Sequence, residues 1–216
     1  MKIVKFAAWP LLLAPALAQA AAPPPSQVFD VYYLAQSKLE IDSGGDSGDI
    51  DGDGFGVRVQ LPLSASGFRL SGEYQTATLD DDGGKIDVDQ WRAGAGWLSP
   101  GALRLGVMAE YVALDLEVKP DGYGSIEVKP DGYGLHGRVE YDALPQLQLY
   151  GQVGYVKVEE DGDSSDGLEY LVGAAFSVNS WFGLFADYRV TDLKDGGDEL
   201  KLDDLRLGLR LTIGAR

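Results

Sequence analysis

A chain of 216 residues with 34 acidic against 18 basic side chains, and a formal net charge of −16, is long enough for one domain. It is too acidic for a general nucleic-acid binder, because polyphosphate would be repelled. After the first twenty residues no stretch holds eighteen apolar residues in a row, which excludes transmembrane helices but leaves a membrane β-barrel open, since barrel strands give only a weak alternating signal.

Lys2 and Lys5 make a short positive segment, Phe6 to Leu17 is mostly apolar, and Ala18-Gln19-Ala20 is a small-x-small cleavage site. This pattern predicts a signal peptide over 1–20, the apolar run being too short to span a bilayer. The run Pro23 to Pro25 predicts a stiff periplasmic leader over 21–27, followed by one barrel domain over 28–216. Loss of Lys2 and Lys5 with the signal peptide takes the net charge from −16 to −18. Export implies an oxidising compartment, and a chain without cysteine must then draw its stability from the fold rather than from disulfides.

From Val28 onward the apolar residues alternate with period two, which predicts ten strands over 28–41, 54–64, 68–79, 86–98, 102–118, 132–142, 147–158, 167–178, 181–194 and 200–213. The connections alternate between tight turns at 65–67, 99–101, 143–146 and 179–180 and long acidic loops at 42–53, 80–85, 119–131, 159–166 and 195–199. The expected fold is therefore all-β: an antiparallel up-and-down transmembrane β-barrel of about ten strands, eight being the other count considered. Its long acidic loops lie outside, and its tight turns and both termini lie in the periplasm.

The two faces of the strands differ. One carries aromatics flanking an aliphatic centre, as in Phe68, Leu70, Gly72 and Tyr74, in Trp91, Ala93, Ala95 and Trp97, and in Tyr133, Leu135, Val139 and Tyr141. Six strand residues tilted by about 40° rise roughly 15 Å, so these aromatics are expected to form two girdles at the lipid interfaces. The other face carries Arg58, Arg69, Glu73, Arg92, Arg104, Glu110, His136, Arg138, Glu140, Glu169, Asp187, Arg189, Arg206 and Arg210, with Asp30. A soluble barrel would put apolar residues inside, so this polar face predicts a membrane barrel with an ionic lumen. Eight of the nine arginines fall on it, whereas the seven lysines after the leader lie toward the loops. That sorting suits planar guanidinium groups in buried pairs and flexible ammonium groups at a wet rim.

On these residues the chain resembles the small outer-membrane β-barrel proteins, the OmpA membrane domain, OmpX and their relatives. The resemblance covers 28–216 and rests on architecture rather than on a catalytic motif. It implies outer-membrane lipid and lipopolysaccharide as surroundings, the outer-membrane assembly machinery as a partner during biogenesis, and a monomer. The chain departs from that group in its ten strands and in its end, Leu211-Thr212-Ile213-Gly214-Ala215-Arg216, which lacks a terminal aromatic.

Three local features stand out from the strand pattern. Asp49, Asp51 and Asp53 match the opening of a calcium loop, but the twelfth position is Gln60 rather than a bidentate glutamate, so calcium or magnesium is expected to bind weakly there, with no other cofactor. Glu117 to Gly124 recurs unchanged as Glu127 to Gly134, a ten-residue duplication at a hairpin tip, where insertions are tolerated. His136, the only histidine, lies on the inner face near Glu140. It is expected to belong to the polar network, since no Ser, Thr or Asp pair stands beside it in a catalytic motif.

The expected function is thus non-enzymatic: an outer-membrane barrel with a structural or cell-surface role, its acidic loops holding divalent cations beside lipopolysaccharide. The rival expectations are a narrow channel, or an outer-membrane enzyme of lipid A modification or proteolysis using His136.

Overall fold

The computed structural model describes residues 26–43, 46–81, 84–120 and 124–214, so the signal peptide and most of the leader lie outside the described residues. The strands are β1 (Gln27–Ser43), β2 (Asp46–Pro62), β3 (Phe68–Asp81), β4 (Gly84–Leu98), β5 (Leu103–Pro120), β6 (Ile126–Val128), β7 (Asp131–Leu144), β8 (Leu147–Glu160), β9 (Asp163–Ser177), β10 (Phe182–Asp195) and β11 (Asp198–Ile213). All pairings are antiparallel. β1 pairs with both β2 and β11, and β5 pairs with both β4 and β7, so ten strands close into a barrel without an edge. The short β6 is not an eleventh stave. It continues the register of β7 along β5, Val128 facing Leu116 as Asp131 faces Ala113.

Closure and strand count follow the sequence reading, but the outer connections do not. The acidic stretches expected to be long loops are strand nearly to their tips. Glu160 pairs with Asp163 across a two-residue turn in which Asp161 and Gly162 both have positive φ, 50° and 98°. That is the twist-matched turn of a tight hairpin. Likewise Asp195 pairs with Asp198, and Ser43 with Asp46. The tight periplasmic turns are tight as expected. At one of them Gly67 has φ 101°, and a Cβ there would lie 2.0 Å from the Leu98 carbonyl oxygen.

The outer wall carries a band of exposed apolar residues, among them Val31, Val57, Leu105, Val107, Leu135, Val153, Val172 and Leu209. Exposed aromatics border it: Tyr33, Phe55, Trp91, Tyr111, Tyr133, Tyr170 and Tyr188 toward the hairpins, and Phe68, Trp97, Tyr141, Phe176 and Trp181 toward the turns. Cross-strand register joins them into belts, with Tyr111 facing Tyr133, Tyr33 facing Phe55, and Phe68 facing Trp97. So much exposed apolar surface is stable only against lipid.

Above the upper belt the faces invert. There the buried side chains are apolar, in one cluster of Leu39, Leu79, Ile86, Val88 and Leu202 and another of Val112, Val156, Val158 and Leu193. The outward positions between them carry Glu40, Asp49, Asp87, Glu117 and Lys119. The inner face is therefore not polar throughout, contrary to what the sequence pattern predicts. It is ionic within the membrane and apolar above it, where the outer wall meets water and the logic of a soluble barrel returns.

Candidate functional site

The ionic network fills the bore at membrane depth, its members held there by strand alternation. Toward the periplasm, Arg104 grips Asp142 through two contacts of 2.7 Å, while Glu140 accepts from Arg138 at 2.9 Å, Arg104 at 3.1 Å and Arg69 at 3.3 Å. On the opposite wall Asp30 accepts from both Arg210 and Arg58, each with a contact of 2.8 Å. In the middle Glu73 receives Arg206 at 2.7 Å and Arg189 at 2.8 Å, and Asp187 receives Arg206 at 2.5 Å and the Tyr150 hydroxyl at 2.9 Å. Aromatic rings insulate the guanidinium groups: Arg58 lies 5.1 Å from the Phe185 ring centre and Arg206 5.4 Å from that of Tyr32, close enough for cation–π attraction.

Near the top of the network Arg92 spans Glu169 with both terminal nitrogens and reaches Glu110 at 3.5 Å. His136 completes this group, with Nε2 at 3.2 Å from Glu169 and Nδ1 at 3.6 Å from Glu110. Glu140, its inner-face neighbour along the strand, belongs instead to the periplasmic cluster of three arginines. Register explains this. Gly154 stands between His136 and Glu169 on neighbouring strands, and without a side chain there the imidazole and the carboxylate can meet.

Glu110, His136 and Glu169 could by donor type hold a metal, their ligand atoms lying within 4.8 Å of one another. The electrostatics fit poorly. Arg92 already supplies positive charge to both carboxylates, and a cation would have to displace a buried guanidinium. The free space among Arg58, Glu73, Arg92, Glu110, Arg138 and Arg189 is about 20 Å³, enough for about one water.

Sequence reasoning missed several members of the lumen. Asp204 is fully buried, accepting from Ser37 and Gln75 at 2.8 Å each. It shares the parity of Arg206, so extending the inner face by one pleat would have found it. Ser37 is reached through a bulge in β1 between Leu34 and Gln36, which switches the inward parity.

The calcium-loop candidates do not lie in a loop. Asp49, Asp51 and Asp53 occupy alternate positions of β2, all exposed, and a strand sets such residues about 6.7 Å apart, so their carboxylates do not converge. Asp49 pairs with Lys38 at 3.1 Å, and Asp53 accepts from the Tyr33 hydroxyl. The same outward wall carries Lys201 with Glu40 and Asp203, and Lys119 with Asp87 and Glu117. Hydrogen bonds to Asp87 and Glu117 hold the Lys119 ammonium up to about 12, and the Lys119 contact holds Asp87 below its usual range. Exposed pairs of this kind add little stability each.

Lipid-facing belts, an ionic network filling the bore and acidic outer hairpins define an integral outer-membrane β-barrel. Residues 63–212 match the family of the outer membrane protein beta-barrel domain, and the chain belongs to that family. Its place is the bacterial outer membrane. A comparison with curated protein sequences gives no match. Among solved structures the chain is similar to the outer membrane protease OmpT from Escherichia coli, with a TM-score of 0.58 and 10% identity over 91% of this chain and 99% of that one. It is also similar to the translocator domain of the autotransporter NalP from Neisseria meningitidis, with a TM-score of 0.52 and 12% identity over 90% of each. The Neisserial surface protein A is matched at 13% identity over 85% of this chain and 96% of that one, with a TM-score of 0.45. At these identities the likeness to the first two is one of fold.

Proposed function

We propose that the protein acts through its outer surface rather than through its bore, as a non-enzymatic barrel whose acidic hairpins hold divalent cations beside lipopolysaccharide. The observation that carries this reading is the inversion above the upper aromatic belt, where the carboxylates point outward and the apolar side chains inward. Like charges crowded within a Debye length of about 8 Å repel one another, and calcium or magnesium bridging to anionic headgroups relieves that repulsion. The packed network supports the reading, because the space among its charged groups is about that of one water. The test is retention of lipopolysaccharide by the purified barrel with magnesium and after chelation. Retention that depends on magnesium supports the proposal, and retention indifferent to chelation overturns it.

A further inference from the structure

Above the ionic network the bore opens into a second space, a cavity of about 430 Å³ floored by Leu39, Val88, Leu114, Val158, Leu193 and Leu202. Its size falls in the range of small-ligand sites, roughly 300–1,000 Å³. One wall comes from the duplicated segment, whose second copy supplies Val128 and Pro130. Proline has no N–H to give a ladder. Pro130 therefore meets β5 by accepting alone, from the Leu114 N–H at 2.9 Å, and on the other side the β7–β8 ladder ends at Asp131 and Glu159. Beyond that pair β6 has no ladder to β8, and the cavity opens there.

The opening is acidic. Glu127, Glu160, Asp161 and Asp163 line it, and no lysine or arginine does so among the described residues. Glu127 is already paired with Lys129 at 2.6 Å, and Glu160 accepts the Lys129 N–H at 2.6 Å. Asp161 and Asp163, at the tip of the β8–β9 hairpin, have no ion pair among the described residues. An apolar chamber with two uncommitted carboxylates at its door has a definite chemical complement.

We propose that this cavity binds a small amphipathic cation, its apolar body on the leucine floor and its amine between Asp161 and Asp163. Apolar surface open to water gains by being covered, and the field of the acidic hairpins draws cations toward the mouth and turns anions away. A fatty acid of the same size would place its carboxylate among four others. The inference goes beyond the surface role proposed above, and loss of that role would leave it standing.

The test uses the full barrel in lipid nanodiscs, with empty nanodiscs as reference, titrated by calorimetry with hexylammonium, hexanol and hexanoate. Hexylammonium should bind saturably, one per barrel, and hexanoate about tenfold more weakly or not at all. Changing Asp161→Asn and Asp163→Asn together, at an exposed tip, should weaken hexylammonium several-fold and leave hexanol unchanged. Leu200→Trp should fill the cavity and abolish both, with Leu116→Phe as the second filling variant should the first fail to fold. Absence of saturable hexylammonium binding, equal affinity for hexanoate, or binding undiminished in a folded filling variant would each overturn the proposal.

Discussion

Arg92 and Glu169, 77 residues apart in the chain, meet through two parallel contacts in the bore, one of them 3.0 Å long. Both side chains are essentially without solvent. Removing one partner strands a buried charge, at a cost of about 3–5 kcal/mol. Arg92→Ala should therefore lower the urea midpoint of unfolding sharply, and Glu169→Ala in the same background should restore part of the loss. An unchanged midpoint in Arg92→Ala would mean that the pair does not hold the bore together.

Arg138 makes a graded comparison. Its partner Glu140 keeps Arg104 and Arg69 when Arg138 is removed. Arg138→Ala should thus destabilise less than Arg92→Ala, measured by the same denaturation. The reverse order would show that Arg104 and Arg69 do not compensate Glu140 for the loss of Arg138.

Glycine spacing gives a steric test. A Cβ on Gly154 would lie 2.3 Å from both the Leu135 carbonyl oxygen and the His136 ring, whereas one on Gly137 meets nothing nearer than 3.7 Å. Overpacking costs about 1–3 kcal/mol. Gly154→Ala should be destabilising by roughly that amount and Gly137→Ala near neutral in the same unfolding assay.

Orientation is tested by labelling. A tag after Gly162, at the β8–β9 tip, should be reached from outside intact cells, and one after Ser99, in the turn before β5, should not. The opposite pattern would place the acidic hairpins in the periplasm.

The acidic wall should bind calcium weakly and at many places. Asp49, Asp51 and Asp53 stand apart along one strand, so changing all three to Asn should reduce calcium uptake only in part. Loss of a tight one-to-one site in that variant would show that the three carboxylates converge after all.

The strands and the lipid belts were legible because a period of two needs only neighbouring residues to be seen, as in Trp91, Ala93, Ala95 and Trp97. The hairpin heights were not, because an acid-rich stretch reads as loop by composition. Yet the signal was there in Lys85-Ile86-Asp87-Val88, where apolar residues share the parity of Arg92. The meeting of Glu110, His136 and Glu169 was beyond sequence. It depends on the register of β5, β7, β8 and β9 together, and a slip of one residue in any ladder would turn one partner to the lipid.

The duplicated segment places Glu117 directly opposite its own copy, Glu127, and Tyr133, the copy of Tyr123, opposite Tyr111. Ten is an even number, and side chains along a strand repeat every two residues. A unit of even length can be added at a hairpin tip with five residues going to each arm, so that every side chain keeps its side of the wall. An odd unit would have to leave its extra residue in the turn or in a bulge, or it would turn Leu135 inward and His136 out to the lipid. A hairpin of this barrel can thus grow or shrink in steps of two while the membrane-spanning part below stays the same.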